Sequence, residues 1–168
     1  MDKSEVRKKI LFIVQLPPPV HGASIMNSYV VNSKAIHSRF DTAILNLQFL
    51  TSIRDITRFS LKKISKAIYY GFELIWKIGS LKPDLIYFSF SPKGYSFYRD
   101  AIYVFLIKLF KRKLVIHLHG KGVREGITGS PVKKKIYKKV FNGISVICLS
   151  EKLVSDIADI YEKTPIII

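Results

Sequence analysis

Residues 10–31 read ILFIVQLPPPVHGASIMNSYVV, and three kinds of local physics follow one another along them. From Ile10 to Leu16 the run is apolar on both faces except at Gln15, the composition of a strand covered from above and below. Pro17-Pro18-Pro19 end it, because proline donates no ladder hydrogen bond and fixes its own φ. After His21-Gly22, the apolar residues Ala23, Met26, Tyr29 and Val30 recur at helical spacing. The stretch predicts a buried strand, a stiff exit and a helix.

The same alternation continues outward. Short apolar runs return at AILNL (43–47), LIYFSF (85–90), LVIHLH (114–119), SVICL (145–149) and PIII (165–168). Between them lie helical stripes: Leu61, Ile64, Ile68, Ile75 and Ile78; Ile102, Phe105, Leu106 and Leu109; Val132, Ile136, Val140 and Phe141; Leu153, Ile157 and Ile160. Ser130-Pro131 supply an N-cap and a first-turn proline for the third of these, and Asn142-Gly143 end it. Ser150 is placed to cap the last helix. Strands alternating with helices predict an α/β fold: a Rossmann-like, doubly wound, mostly parallel sheet flanked by helices.

Composition narrows the function classes. The 168 residues are 48% hydrophobic and 24% charged, which is globular rather than disordered. Lys+Arg number 28 against 12 Asp+Glu, a net charge of +16 that predicts an anionic partner: nucleic acid, an anionic membrane or a phosphorylated ligand. A single cysteine, Cys148, excludes an intramolecular disulfide and a cysteine-rich zinc site. The apolar run behind the basic N-terminal head is short and is followed by prolines rather than a cleavage site, so it reads as a strand and not a signal peptide. The most apolar later stretch, 101–110, is far below the roughly 18–20 residues that a membrane span needs. The chain is expected in the cytoplasm, and its apolar end at 165–168 predicts that it is part of a longer protein.

Ligands of open α/β sheets sit beyond the carboxyl ends of the strands, so the strand exits hold the candidate site residues. After the first strand come His21, Gly22, Ala23 and Ser24, where glycine allows a close backbone approach and a helix start favours an anion. The turn is neither a G-x-G-x-x-G fingerprint nor a P-loop, and a plain helix-capping turn is the alternative. After the fourth strand come His117-Leu118-His119-Gly120-Lys121-Gly122. Period two puts both histidines on one face, with His119 at the mouth as the site candidate and His117 as a structural residue. Gly120, Lys121 and Gly122 open a segment expected to be a flexible loop to Gly129. Ser91, after the third strand, is expected to cap the next helix with Pro92 in its first turn, and is a candidate substrate contact as well. The residue-20 turn and His119 are expected on one rim. Two histidines without a nearby carboxylate or thiolate make an incomplete metal site, and no metal is expected. No G-x-S-x-G elbow supports a hydrolase.

The positive charge is clustered. Eleven Lys and Arg lie between Lys108 and Lys139 against one acid, Glu125. Lys133, Lys134, Lys135, Lys138 and Lys139 ride on the helix from Pro131, whose narrow apolar stripe resembles that of an interfacial helix, and these five are candidates to face an anionic membrane. A merely solvated helix face is the alternative. Nucleic acid is the weaker partner, since no RNA-recognition, helix-turn-helix or zinc-finger signature is present.

Four blocks carry a family resemblance: ILFIVQLPPPVHGASIMNSYVV, KPDLIYFSFS (82–91), KLVIHLHGKG (113–122) and GISVICLSEKLVSDI (143–157). Together they resemble the N-terminal half of a bacterial family 4-type glycosyltransferase with the GT-B fold. The resemblance implies that residues 1–168 form the Rossmann-like acceptor-binding domain, with a C-terminal domain that binds the nucleotide-sugar lying beyond this chain. It implies transfer of a sugar from a nucleotide-sugar to a glycan or lipid-linked acceptor in surface polysaccharide biosynthesis, with retention and without a metal or other cofactor. Gly22 and Ala23 match the loop that approaches the donor phosphates, although many members carry two glycines there. His119 matches the histidine near the transferred sugar, which makes it the catalytic candidate. The family's E-x7-E pair has no counterpart here, since Glu151 is followed eight residues later by Asp159. Such a half would be inactive alone and would sit on the inner face of the cell membrane. The reading from a different class is a non-catalytic basic α/β module that binds nucleic acid or other polyanions.

Overall fold

The structure is a computed structural model that describes residues 7–49 and 61–168. It is an α/β fold with a six-stranded, all-parallel sheet in the order β2-β1-β3-β4-β5-β6, flanked by helices. By compactness the chain divides into two units, residues 1–86 and 87–168.

The first unit holds β1 (Lys9–Val14), α1 (Gly22–Val31), α2 (Lys34–His37), β2 (Asp41–Asn46) and α3 (Leu61–Leu81). Leu11, Phe12, Ile13 and Val14 are all buried, as a strand covered on both faces requires. β1 pairs in parallel with β2 from Lys9↔Asp41 to Val14↔Asn46. Asp84 extends the start of β1 on its other side: its N–H donates to Lys9 O (2.9 Å), and its carboxylate accepts from Lys9 N (2.8 Å). The sequence does not signal α2, a single turn with no buried residue. Residues 50–60 of the loop predicted between Gln48 and Ser60 lie outside the described residues.

Two helical stripes in this unit turn out differently from the periodicity. α1 buries Ser24, Asn27 and Val31 in place of the expected apolar residues, and Tyr29 is exposed. The buried polar side chains are stable there because each meets a loop carbonyl: Ser24 Oγ donates to Pro19 O (3.0 Å) and Asn27 Nδ2 to Gln15 O (3.0 Å). α3 buries Gly71, Leu74 and Ile78, while Leu61, Ile64, Ile68 and Ile75 face outward.

The second unit takes most of β3 (Leu85–Phe90), then α4 (Gly94–Leu109), β4 (Lys113–Leu118), α5 (Val123–Ile127), α6 (Pro131–Phe141), β5 (Ser145–Cys148), α7 (Glu151–Ile157) and β6 (Ile166–Ile167). β4 and β5 pair in parallel from Val115↔Ser145 to Leu118↔Cys148, and β5 pairs with β6. Its core stacks Phe97 on Tyr137, with ring centroids 3.6 Å apart, and sets Phe90 edge-on to Phe97 and Phe141. The α6 signals read from sequence both hold. Ser130 Oγ accepts from Lys133 N, Pro131 opens the helix, and Asn142 is its C-cap before Gly143 at φ +75°.

Four expectations are corrected in this unit. The 121–129 segment is not an open loop: it contains α5, with Val123 and Ile127 buried. Ser91 does not cap α4, whose N-cap is Lys93. The predicted α4 stripe faces partly outward, since Ile102 and Leu109 are exposed while Phe97, Ala101, Val104 and Ile107 form the core face. A helix that is apolar on most sides gives no unique periodicity to read. Ser150 is the N-cap of α7 by position, but its side chain makes no capping hydrogen bond.

Candidate functional site

In the first unit, the turn that leaves β1 is fixed by side chains from both of its neighbours. Leu16 N donates to Asn46 Oδ1 at the end of β2 (3.0 Å), and Gln15 O accepts from Asn27 on α1. His21 is the N-cap of α1 and forms a reciprocal box with Ser24. The Ser24 N–H donates to His21 Nδ1 (3.3 Å), and Ser24 Oγ accepts from His21 N (2.9 Å). Ser24 is wholly buried, so its hydroxyl shapes the turn from inside. Gln15 Nε2 and His21 Nε2 are shielded from solvent and meet no hydrogen-bond partner among the described residues. Such groups are rare in folded proteins, and a bound polar ligand is one thing that satisfies them.

Gly22 is the first residue of α1 and is exposed. A Cβ built there would meet nothing within 4 Å, and its φ is not in the left-handed range. The local fold therefore tolerates a side chain at 22, and its absence leaves the helix start open. Ala23, next to it, is half-buried.

In the second unit, the exit of β3 is organised by Asp100, an acid in the middle of the apolar face of α4. Asp100 is fully buried; its carboxylate accepts from Ser91 N (2.9 Å) and pairs with Arg99 (2.7 Å). Burial pushes the carboxyl up, while the Arg99 guanidinium and the Ser91 N–H pull it back down. Ser91 is thus held by its backbone, half-buried at the strand exit. Tyr137 of α6 donates to Pro92 O (2.9 Å) and closes this turn from the other side.

At the exit of β4, His117 is buried and its Nδ1 shares a hydrogen bond with the Tyr87 hydroxyl. Burial holds the imidazole down at about 4, so it is neutral at neutral pH. His119, one residue past the strand, is half-buried and packs its ring on that of His117, with centroids 4.1 Å apart. Gly120 follows, half-buried, and a Cβ added to it would touch nothing within 4 Å. Lys121 is exposed.

The next three backbone N–H groups are already occupied. Gly122 N and Val123 N donate to Asp156 Oδ2 (2.9 Å each), and Arg124 N donates to Asp156 Oδ1 (3.2 Å). This carboxylate from α7 thus satisfies the free N–H groups at the start of α5. Gly122 is buried at φ +146°, and a Cβ there would lie 2.7 Å from Lys93 Cδ, so glycine is required for the chain path. Lys93 pairs with Glu125 of α5 (2.6 Å). Sequence reading missed Asp100 and Asp156. Asp100 was detectable as a lone acid in an apolar helix; Asp156, on the polar side of α7, carries no comparable signal.

The α6 lysines 133, 134, 135, 138 and 139 are exposed, while Tyr137, Val140 and Phe141 turn inward. A cleft of about 500 Å³ opens at the end of this helix, lined by Lys135, Lys138, Lys139, Asn142, Tyr161 and Lys163 among others. It adjoins the amino end of β5, the end of that parallel pair away from His119. Among the described residues no three His, Cys, Asp or Glu side chains form a metal-holding group, and no helix is long and apolar enough to cross a membrane.

No protein-family model matches this sequence, and no curated protein shows significant similarity to it.

Proposed function

We propose that this chain is the acceptor-binding half of a glycosyltransferase, which moves a sugar from a nucleotide-sugar to a glycan or lipid-linked acceptor in surface polysaccharide biosynthesis. The supporting observation is the pair of glycines at the exits of β1 and β4. Gly22 and Gly120 each stand where the fold does not need glycine, next to a histidine. At the first exit, the turn is held by Asn27, Asn46 and the His21–Ser24 box, so the open helix start at Gly22 and Ala23 is a fixed feature that suits donor phosphate. At the second exit, His119 would lie against the transferred sugar and exchange a hydrogen bond with one of its hydroxyls, with Gly120 and Lys121 beside it. His117 packs against that ring at a tilt of 34°. Ser91 would meet the acceptor from the exit of β3. Gly122 acts through the chain path, since Asp156 takes its N–H. A second domain that holds the nucleotide-sugar would complete the site, without metal or other cofactor. The α6 lysines add electrostatic attraction toward an anionic leaflet, on the cytoplasmic side where nucleotide-sugars are made available.

The test is a transfer assay of the full-length protein with a panel of nucleotide-sugars. His119→Ala should lower turnover strongly. Gly22→Ala and Gly120→Ala should lower kcat/KM while leaving the thermal midpoint unchanged, because neither position is crowded. Wild-type turnover in His119→Ala would remove that residue from the mechanism. Failure of every nucleotide-sugar in the panel to turn over would leave the polyanion-binding reading. That second reading draws on the exposed α6 lysines and predicts RNA or DNA binding that weakens steeply with salt.

A further inference from the structure

The long helix α3 carries an apolar face that nothing in the described structure covers. At 100° per residue, Leu61, Ile64, Ile68, Phe72 and Trp76 fall within an arc of about 120°. Tyr69 extends that arc on one side and Ile75 lies inside it. All seven are exposed: Leu61 at 79%, Phe72 at 70%, Trp76 at 67%. The helix is held to its own unit by a different strip, Gly71, Leu74 and Ile78. Contiguous exposed apolar surface of this size marks a docking surface rather than ordinary scatter.

The remaining side of the helix bears Lys62, Lys63, Lys66 and Lys77 against one acid, Glu73, which pairs with Lys77, while Lys66 donates to Gln48 O (2.8 Å). Trp and Tyr at the border of an apolar arc, with lysines beyond, is the composition of a helix that lies in a bilayer interface. We infer that α3 docks the protein on an anionic lipid surface, with Phe72 and Trp76 inserted among the acyl chains and the lysines at the headgroups. Charge selects this occupant over a second copy of the chain. A second copy would bring together two surfaces of a protein of net charge +16, whereas anionic headgroups neutralise that charge. α6 differs physically: its exposed side carries five lysines and one apolar residue, Val132, which is too little apolar surface to insert.

Docking through α3 does not rest on sugar transfer, because vesicle binding needs neither donor nor acceptor. Trp76 is the only tryptophan and reports its own environment. The intact protein is mixed with vesicles of phosphatidylcholine, alone or with phosphatidylglycerol as about a third of the lipid. The expected result is a blue shift of Trp76 emission and quenching by brominated acyl chains, with the anionic vesicles only. Ile68→Ser together with Phe72→Ser should weaken binding by roughly tenfold or more, and both sites are exposed, so the variant keeps its fold. Unshifted Trp76 emission with anionic vesicles, or equal binding by the Ile68→Ser, Phe72→Ser variant, overturns the proposal. A stable dimer in sedimentation equilibrium whose Trp76 is already blue-shifted without lipid overturns it in favour of a second copy.

Discussion

Asp156 on α7 holds Gly122 at the start of α5, with its Oδ2 2.9 Å from the Gly122 nitrogen. The same oxygen takes the Val123 N–H and the other oxygen takes that of Arg124. One side chain thus satisfies three helix-start donors and ties the segment after His119 to the last helix. Asp156→Ala leaves those donors to solvent and should destabilise the protein by about 2–3 kcal/mol. Urea unfolding measures the loss. Hydrogen exchange should show amides 122–124 losing protection first; unchanged protection there would mean that the carboxylate does not fix α5.

Gly126 is the contact point between α5 and α6. A Cβ at this position would lie 2.8 Å from Tyr137 Cζ and closer still to its hydroxyl oxygen. Gly126→Ala should cost about 1–3 kcal/mol by overpacking. Tyr137→Phe alone loses the hydrogen bond to Pro92 O, worth about 1 kcal/mol. The double variant should be more stable than the sum of the two losses predicts, because removing the hydroxyl removes the closest part of the clash and leaves only the ring carbon to give way. Thermal melts of the four proteins complete the cycle.

His117 makes stability depend on pH. Its folded value of about 4 lies below the ordinary 6.5, so between those values the unfolded chain binds the extra proton. The contribution is complete above about pH 6.5 and is lost as pH falls toward 4, up to about 3 kcal/mol. Urea midpoints measured from about pH 7 down to about pH 4.5 should fall more steeply for the wild type than for His117→Asn. Parallel slopes would refute the assignment.

Asp100 joins the exit of β3 to α4. Asp100→Ala deprives the Ser91 N–H and Arg99 of this buried partner, and a loss of about 2–4 kcal/mol is expected. Adding Arg99→Ala should cost less in this background than in the wild type, because the Asp100–Arg99 pair is already gone. Equal costs in the two backgrounds would mean that the Ser91 contact alone carries the effect.

The candidate site was legible in outline and not in detail. His119 and Gly120 follow from reading a strand to its end and looking one residue beyond. That Ser24 is buried, or that the Gly122 N–H is already engaged, depends on partners that no local pattern names. Pro19 and His21 meet Ser24 across a turn; Asp156 reaches Gly122 from 34 residues away.

By itself the sequence determined the architecture. Strands apolar on both faces must be covered on both faces, and alternation with helices leaves a parallel sheet as the arrangement that does so. Local caps such as Ser130-Pro131 and Asn142-Gly143 are equally self-sufficient, because their partners lie within a few residues. Only the tertiary structure decided which side of each helix is core. On α3 the apolar residues run from Gly71, Leu74 and Ile78 around to Phe72 and Trp76. An arc that wide satisfies helical periodicity whichever part of it meets the sheet, and the choice is made by packing.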